Sequence, residues 1–550
     1  MADVIVVGSG GAGLAAALSA AVAGGDVLVL DRAPVFGGTT AISGGGMWLP
    51  NNPFEVEAGA GDSPEEVMTY LRAMSNGLVE ERLLEAFVEQ APRAVDFLRQ
   101  ETAIHLLPTY SSDYQSQLPG GRESGVSATT GERSRPGRSV AVGLFEGSRL
   151  GKLRERLRVP SEHGGMWPAL EDEFGSSTGT DVMFRASDVI RERRAKGILA
   201  RGAALVAVLM EAAIRRGARL ELDCRARHLV RDDRGRVTGV VVEREGREQT
   251  LTARLGVVLA TGGIEWNQAL WTSAIATPLD GPLTPPSNEG DGFLMAAEAG
   301  ARMANFREFG VWWMPAIGIP GESYDGRPRL RSATGTGGAP GAIAVNRRGR
   351  RFGSELMNYN DMGKLMTDFD PHSYEFVNYP AWVVLDRERR KEPLLAYEYD
   401  PESLVSDAWL FEAPTLRKLA EKIGVDPVGL EEQVREFNRH AERGEDPVFG
   451  RGSRNGWEGS PKPRPLETTG PYYAYRWRVG CYGTKCGPVI NEHGQVTGYD
   501  GRPIPGLYAA GNAAAGVFGP AYPGRGGTLG PGVTFGYVAG RHAASEPVPA

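Results

Sequence analysis

Residues 3–31 read DVIVVGSGGAGLAAALSAAVAGGDVLVLD, and the spacing inside this stretch decides the fold. Val4 to Val7 is a short, β-branched apolar run, the pattern of a parallel strand buried on both faces. Gly8, Gly10 and Gly13 follow at G-x-G-x-x-G spacing. Leu14 to Ala23 is alanine-rich and reads as a helix, and Val27 to Leu30 is a second buried strand that ends at Asp31. The glycines have separate tasks: a tight turn, room for a pyrophosphate against bare backbone, and close packing of helix on strand. The helix N-terminus offers unpaired N–H groups and the positive end of its dipole to phosphate oxygens. A carboxylate closing the second strand stands where a ribose diol is held. The stretch is therefore read as a dinucleotide site on an α/β fold. Gly8, Gly10, Gly11, Ala12 and Gly13 are its phosphate turn, and Asp31 and Arg32 its ribose end.

Composition narrows the partners. The chain has 550 residues, 41% of them hydrophobic, with 75 glycines and 37 prolines, so the core is ample and the glycines mean turns. A formal net charge of -7 argues against nucleic acid, and the basic runs at 191–196, 346–351 and 387–391 are read as solvated faces. Three cysteines in so long a chain indicate a reducing compartment, the cytoplasm, and no disulfide framework. Cys481 and Cys486 lack the His or Cys neighbours of a zinc set, so no metal is expected. The apolar N-terminus has no basic leader region, and no stretch reaches the roughly 18 uncharged apolar residues of a membrane span.

After Asp31 the chain reads RAPVFGGTTAISGGGMWLPNN. Gly38, Thr39, Thr40, Ser43, Gly44 and Gly45 form a strip of backbone N–H and hydroxyl groups with little bulk, suited to a planar cofactor. Here the sequence resembles the flavoprotein superfamily of fumarate reductases and ketosteroid dehydrogenases, in which this stretch wraps FAD. The branch that bonds flavin covalently uses a histidine here. None occurs between Pro34 and Asn52, so the resemblance implies non-covalent FAD.

Further along, Ser63-Pro64-Glu65-Glu66 is a capping box with proline at the first helical position, and Glu80 to Gln100 is a second helix. Gly202 to Gly217 is an amphipathic helix, and Arg219 to Leu222, Val237 to Glu243 and Gly256 to Ala260 are strands. Ala260-Thr261-Gly262-Gly263 resembles the superfamily's turn back to FAD, as does the glycine turn at Gly511 and Asn512. From Asn305 the run FREFGVWWMPAIGIPG is aromatic without helical period, read as core or the wall of an apolar pocket. The segment 135–200 is basic and irregular, and 370–465 is Pro-rich and charged with one clear helix near Pro427 to Glu442. The expected architecture is a Rossmann-like FAD-binding domain, a parallel sheet flanked by helices, in two parts (1–304 and 469–550). An α+β substrate or cap domain (305–468) is inserted between them.

The run FGPAYPGRGGTLGPGVTFGYVAGRHAA, 518–544, carries the most specific resemblance. It is similar to 3-ketosteroid Δ1-dehydrogenase, whose members have Y-P-G-x-G-x-T-x-G-P before the same helix. The resemblance implies that the Tyr522 hydroxyl and the Gly526 N–H hold a 3-keto oxygen, with Gly527 and Leu529 near the flavin. Tyr359, in NYND, would remove the carbon 2 proton. Tyr114 would support that base, with Tyr110 as an alternative, while carbon 1 gives a hydride to flavin. A steroid substrate and a quinone-like electron acceptor are implied as partners. The chain departs from the pattern at Ser354, Asn358, Cys486 and Arg525, where asparagine, proline, glycine and proline are usual. A Δ4-(5α)-ketosteroid dehydrogenase, another enone reductase of the superfamily, and a flavin protein without catalysis are the competing readings.

Overall fold

The computed structural model describes all residues except 60, 125–134, 159–188, 190–191, 325–326, 334–336, 392–408, 453–460 and 546–550. Much of the irregular 135–200 stretch and part of 370–465 lie outside the described residues, as does Arg191 of the first basic run. The first strand, Ala2–Val7, pairs in parallel with Val27–Leu30 on one side and Arg247–Leu259 on the other. Arg219–Glu221 extends the sheet beyond Val27–Leu30, and Pro503–Ala509 joins Arg247–Leu259, again in parallel. The eight-stranded sheet is thus built from both ends of the chain. Its central strands are continuous runs of Val, Leu and Ile because helices cover both faces, leaving no water-facing side to be polar.

The closing helix Leu529–Ser545 packs along the phosphate-turn helix Gly11–Val22. Small residues permit the approach: a Cβ at Gly536 or Gly540 would fall on the carbonyl oxygens of Ala12 and Ala16. The Ser19 hydroxyl donates to the Tyr537 carbonyl across the seam at 2.7 Å. At Pro64–Ser75 the expected capping box is present, Ser63 and Glu66 exchanging both hydrogen bonds. The Glu80 to Gln100 segment is the helix Glu81–Glu101, carrying Pro92 in its interior.

A second, seven-stranded sheet is ordered Arg327–Ser332, Val311–Tyr324, Tyr472–Thr484, Ala381–Leu385, Ala342–Val345. Gly281–Pro282 and Leu410–Ala413 also pair with Tyr472–Thr484. That long strand, given by the sequence reading to the returning FAD segment, pairs entirely within this second sheet. Alternation along Val311–Tyr324 splits the aromatic run. Trp313 is fully buried against Trp271 at a ring separation of 5.9 Å, whereas Trp312 turns the other way, toward Tyr522.

The basic runs are not all solvated. Arg351 is buried, held by Glu355 at 2.7 Å and Asp446 at 2.8 Å, and Arg389 is buried as well. Carboxylates brought from other segments make that burial tolerable, which a linear charge pattern does not reveal. Among the described residues no helix is long and apolar enough to cross a membrane.

Candidate active site

The C-terminal ends of the parallel strands converge on the phosphate turn, the usual place for a ligand in such a sheet. Gly8 has φ +114, and a Cβ there would overlap the Ala260 carbonyl. A Cβ at residue 13 would fall on the Gly8 carbonyl oxygen, so helix and strand touch only because Gly13 is bare. The Gly11 N–H donates to the Thr40 hydroxyl at 3.0 Å. The Thr39 hydroxyl accepts from Asn288 at 3.1 Å, and Ser43 donates to the Thr40 carbonyl at 2.7 Å. Asp31 takes the Ser9 N–H at 2.9 Å, the Ser9 hydroxyl at 2.5 Å and the Ala33 N–H at 2.9 Å. These bonds fix the carboxylate and leave part of Oδ1 to a ribose hydroxyl. Arg32 is committed elsewhere: its guanidinium pairs with Glu289 at 2.7 Å and Asp291 at 3.3 Å.

On the far side, the Thr261 hydroxyl accepts from the Gly292 N–H at 3.2 Å, and Gly262 at φ +76 lies against Asn288. Gly511, Asn512, Thr528, Pro531 and Gly532 line a small cavity, with Trp312 and Lys485 opposite. Gly44, Gly45 and Gly527 lie on loops, and Leu529 opens the closing helix. The bare glycine turn, the N-terminus of the helix Gly11–Val22 that it opens and the space beside the closing helix fit a flavin dinucleotide. The residues named above would hold it.

Three tyrosines from distant segments meet at the cavity's edge. The Tyr359 and Tyr522 hydroxyl oxygens are 2.6 Å apart. Tyr114 packs edge-on against both rings, at 5.7 Å from Tyr359 and 5.2 Å from Tyr522, and its hydroxyl hydrogen-bonds Tyr359. Tyr522 is buried, lies against Trp312 at 4.9 Å and also hydrogen-bonds Thr528. A Cβ at Gly527 would press on its ring. Gly526, at φ +83, keeps its N–H clear of the fold's hydrogen bonds among the described residues while its carbonyl accepts from Trp48 and Gly530. Such a free backbone donor beside a phenol is what an oxyanion hole requires.

Electrostatics alters one expectation. Support of the base by Tyr114, as the resemblance implies, would lower the pKa of Tyr359. Instead burial, then the Tyr114 and Tyr522 phenols, push Tyr359 well above the ordinary phenol value. Burial also raises Tyr522. Tyr114 is pushed up by burial only to about 12, because the Tyr359 hydrogen bond and the Arg525 guanidinium favour its charged form. Charge released into this hydrogen-bonded chain is thus best tolerated at its Tyr114 end.

The supporting groups were missed in the sequence. Tyr359 opens the helix Tyr359–Met366, whose N-cap is Asn358; the departure from proline there supplies a cap. Asp361 accepts from Gln115 and Asn358 at 2.6 Å each and from Lys364 at 2.8 Å. Burial opposes its charge, yet Lys364 and these donors hold its pKa below the usual carboxylate range. Lys364 also donates to the Pro520 carbonyl at 2.9 Å, so one pair ties the loops of Tyr114, Tyr359 and Tyr522 together. Beneath Tyr114, buried Asp113 accepts from the Trp48 indole at 2.9 Å and from Arg138 at 2.6 Å. Tyr70 and the Tyr114 N–H both donate to the Pro523 carbonyl, at 2.7 and 3.0 Å. Tyr482 adds a fourth ring, 5.9 Å from Tyr359. The adjacent Asp113-Tyr114 and the acid two residues after Tyr359 were the available signals.

The family described as FAD binding domain matches residues 3–529. The chain belongs to it. FAD is the cofactor of this flavin-dependent dehydrogenase, whose named relatives are oxidoreductases acting on CH–CH groups. The chain is 38% identical to 4-oxocyclohexanecarboxylate 2-dehydrogenase of Sinomonas cyclohexanicum, over 99% of this chain and 93% of that one. It is 32% identical to 3-oxosteroid 1-dehydrogenase of Mycobacterium tuberculosis, over 99% of this chain and 98% of that one. Among solved structures, 3-ketosteroid Δ1-dehydrogenase from Sterolibacterium denitrificans, in complex with 1,4-androstadiene-3,17-dione, superposes with a TM-score of 0.85. It shares 32% identity, with 99% of each chain covered. The chain thus belongs to the flavoprotein family that contains the 3-oxosteroid 1-dehydrogenases.

Proposed function

We propose that this flavoprotein desaturates a six-membered ring ketone between its α and β carbons. The observation that carries this is the 2.6 Å separation of the Tyr359 and Tyr522 hydroxyls. A carbonyl oxygen and the proton on its neighbouring carbon are close together, so the groups handling them must be adjacent. Tyr522 and the Gly526 N–H polarise the carbonyl and hold the charge that develops on its oxygen, each donor contributing about 3–4 kcal/mol. Tyr359 takes the α proton, and Tyr114 shares the charge this leaves on the phenol chain. Bound FAD supplies the acceptor for the hydride from the β carbon. Trp312 and the three phenol rings exclude water from the reacting face.

The 3-ketosteroid reading, with carbons 2 and 1 as the reacting pair, is supported by the matched Y-P-G-x-G-x-T-x-G-P run and by the steroid-dehydrogenase relatives. A second reading is a monocyclic oxo-acid, supported by the 4-oxocyclohexanecarboxylate dehydrogenase relative and by Arg525 beside the carbonyl-holding turn. A quinone-like compound is the proposed final electron acceptor. The test is anaerobic titration of the yellow holoenzyme with both compound classes while following flavin absorbance. Bleaching by a ring ketone is expected. A flavin that dithionite reduces but no ring ketone bleaches would refute the reading, and loss of hydrogen from carbon 4 instead of carbon 2 would favour Δ4 chemistry.

A further inference from the structure

We propose that Lys485 is a positioning residue for Tyr522, holding the backbone that aims the carbonyl-binding hydroxyl. This rests on the ring-ketone reading above and goes beyond it by naming what keeps that hydroxyl in place. Ala521 to Pro523 lie in neither helix nor strand, so no regular ladder fixes them and other segments must. The Pro520 carbonyl accepts from Lys364 at 2.9 Å, and the Pro523 carbonyl from the Tyr70 hydroxyl at 2.7 Å. The Ala521 carbonyl, part of the peptide plane that leads into Tyr522, accepts from Lys485 Nζ at 3.2 Å. Turning that plane turns the Tyr522 Cα, and the phenol ring carries a small rotation out to a larger displacement at its hydroxyl. That hydroxyl sits 2.6 Å from the one on Tyr359. The same lysine nitrogen lies 4.0 Å from the centre of the Trp312 ring. Trp312 packs 4.9 Å from Tyr522 and is tied to Asn512 at 3.0 Å. One side chain thus grips both the backbone of Tyr522 and the ring beside it.

The surroundings of Lys485 fit this role. Only 1% of the residue is exposed, and among the described residues its nitrogen touches one carbonyl and one ring and pairs with no carboxylate. Burying an amine costs free energy that a methionine of similar volume would not, so the nitrogen is the part with a task. Its backbone is anchored: the N–H donates to the Gly310 carbonyl at 2.8 Å, and the carbonyl accepts from the Gly516 N–H at 2.9 Å. A Cβ at residue 516 would lie 3.0 Å from the Lys485 Cβ and 3.1 Å from its Cδ, so bare Gly516 leaves the stem its lane. Burial and the Lys364 charge, against the pull of Asp361, push the pKa of Lys485 well below that of an ordinary lysine. A neutral amine still has N–H groups to donate, so the bond to Ala521 does not depend on the charge.

The experiment is a double-mutant cycle on holoenzyme, using whichever of 4-androstene-3,17-dione and 4-oxocyclohexanecarboxylate bleaches the flavin. Lys485→Met keeps the stem and removes the donor. It should lower kcat by about ten- to a hundredfold with KM nearly unchanged, the effect of a misaimed catalytic group. In a Tyr522→Phe background, where no hydroxyl is left to aim, the same substitution should cost less than about threefold more. Lys485→Gln, with an N–H donor on a shorter stem, should recover part of the loss. A second measurement needs no substrate: 3-fluorotyrosine in place of Tyr522 gives a single fluorine NMR resonance. Lys485→Met should shift or split that resonance, and Lys422→Met, at an exposed site, should leave it alone. A shifted resonance without turnover of either ketone would sustain the proposal while rejecting the ring-ketone reading. An unmoved resonance in FAD-loaded Lys485→Met would overturn the proposal, as would kinetic losses that simply add across the cycle, the mark of a residue acting on the fold alone. Should Lys485→Met fail to retain FAD, Lys485→Gln goes through the same cycle and is judged by the same two results.

Discussion

Replacing Tyr359 with phenylalanine tests the chemistry where the geometry is tightest. The ring keeps its contacts with Tyr114, Tyr482 and Tyr522 at 5.7, 5.9 and 5.5 Å, so packing is preserved. Tyr522 loses its 2.6 Å partner but retains Thr528, and the fold should lose only about 1 kcal/mol. The kinetic loss should be far larger. A positioned base contributes about 10²–10⁴-fold, or roughly 3–5 kcal/mol of barrier. The assay is exchange of the α proton with deuterated water, followed by NMR under anaerobic conditions without acceptor. Thermal melting and flavin content serve as controls. The variant should bind a ring ketone and perturb the flavin spectrum, yet exchange at least a hundredfold more slowly. Exchange at the wild-type rate in a folded, flavin-loaded variant would remove Tyr359 from the base role.

Further outcomes follow from other parts of the site. Tyr522→Phe should lower turnover by about a hundredfold or more with FAD retained, and paired with Tyr359→Phe the losses should be non-additive because the hydroxyls touch; steady-state kinetics of the three variants decide this. A phenol whose pKa is raised stays neutral at pH 7 and its deprotonated fraction grows with pH, so kcat/KM should climb from pH 7 toward 10 with no plateau; a plateau below pH 8 would contradict the upward shifts at Tyr114 and Tyr359. Gly13→Val should abolish FAD retention, measured as flavin per chain after gel filtration, whereas the wild-type flavin should leave acid-precipitated protein entirely. Arg138→Met removes the guanidinium that pairs with buried Asp113 and Asp62, leaving Asp62 with Arg122 at 3.3 Å, and should cost about 3 kcal/mol of stability, read as a lowered denaturation midpoint.

The nucleotide-binding half was legible because its signals are local. Val4 to Val7, the glycine turn and Asp31 lie within one short stretch, and each is forced by backbone sterics or burial. Tyr522 and Tyr359 could be named because the residues around them match a known run. The links between loops could not. Gln115 to Asp361 and Lys364 to Pro520 join positions far apart in sequence, and a polar residue's type does not say which distant partner it meets. Arg351 likewise reads as surface until Asp446 is brought beside it. The upward shift at Tyr359 was hidden for the same reason, since burial is a property of the assembled site. Arg32 illustrates the converse: its place after the ribose acid is cofactor-like, but Glu289 and Asp291 reach it from elsewhere.

The nucleotide sheet takes its first strand from Ala2–Val7 and a parallel neighbour of Arg247–Leu259 from Pro503–Ala509, while the helix against the phosphate turn is Leu529–Ser545. During synthesis the phosphate-turn helix Gly11–Val22 therefore waits for nearly the whole chain. At about 5–20 residues per second, roughly 500 residues take about 25–100 s. Throughout that interval the seam lined by Ala12 and Ala16 has no partner, and the cavity wall formed by Gly511 to Gly532 does not exist. Cofactor loading is consequently a post-translational event, and a chain cut short before residue 503 should neither hold flavin nor shield its central strands from a chaperone.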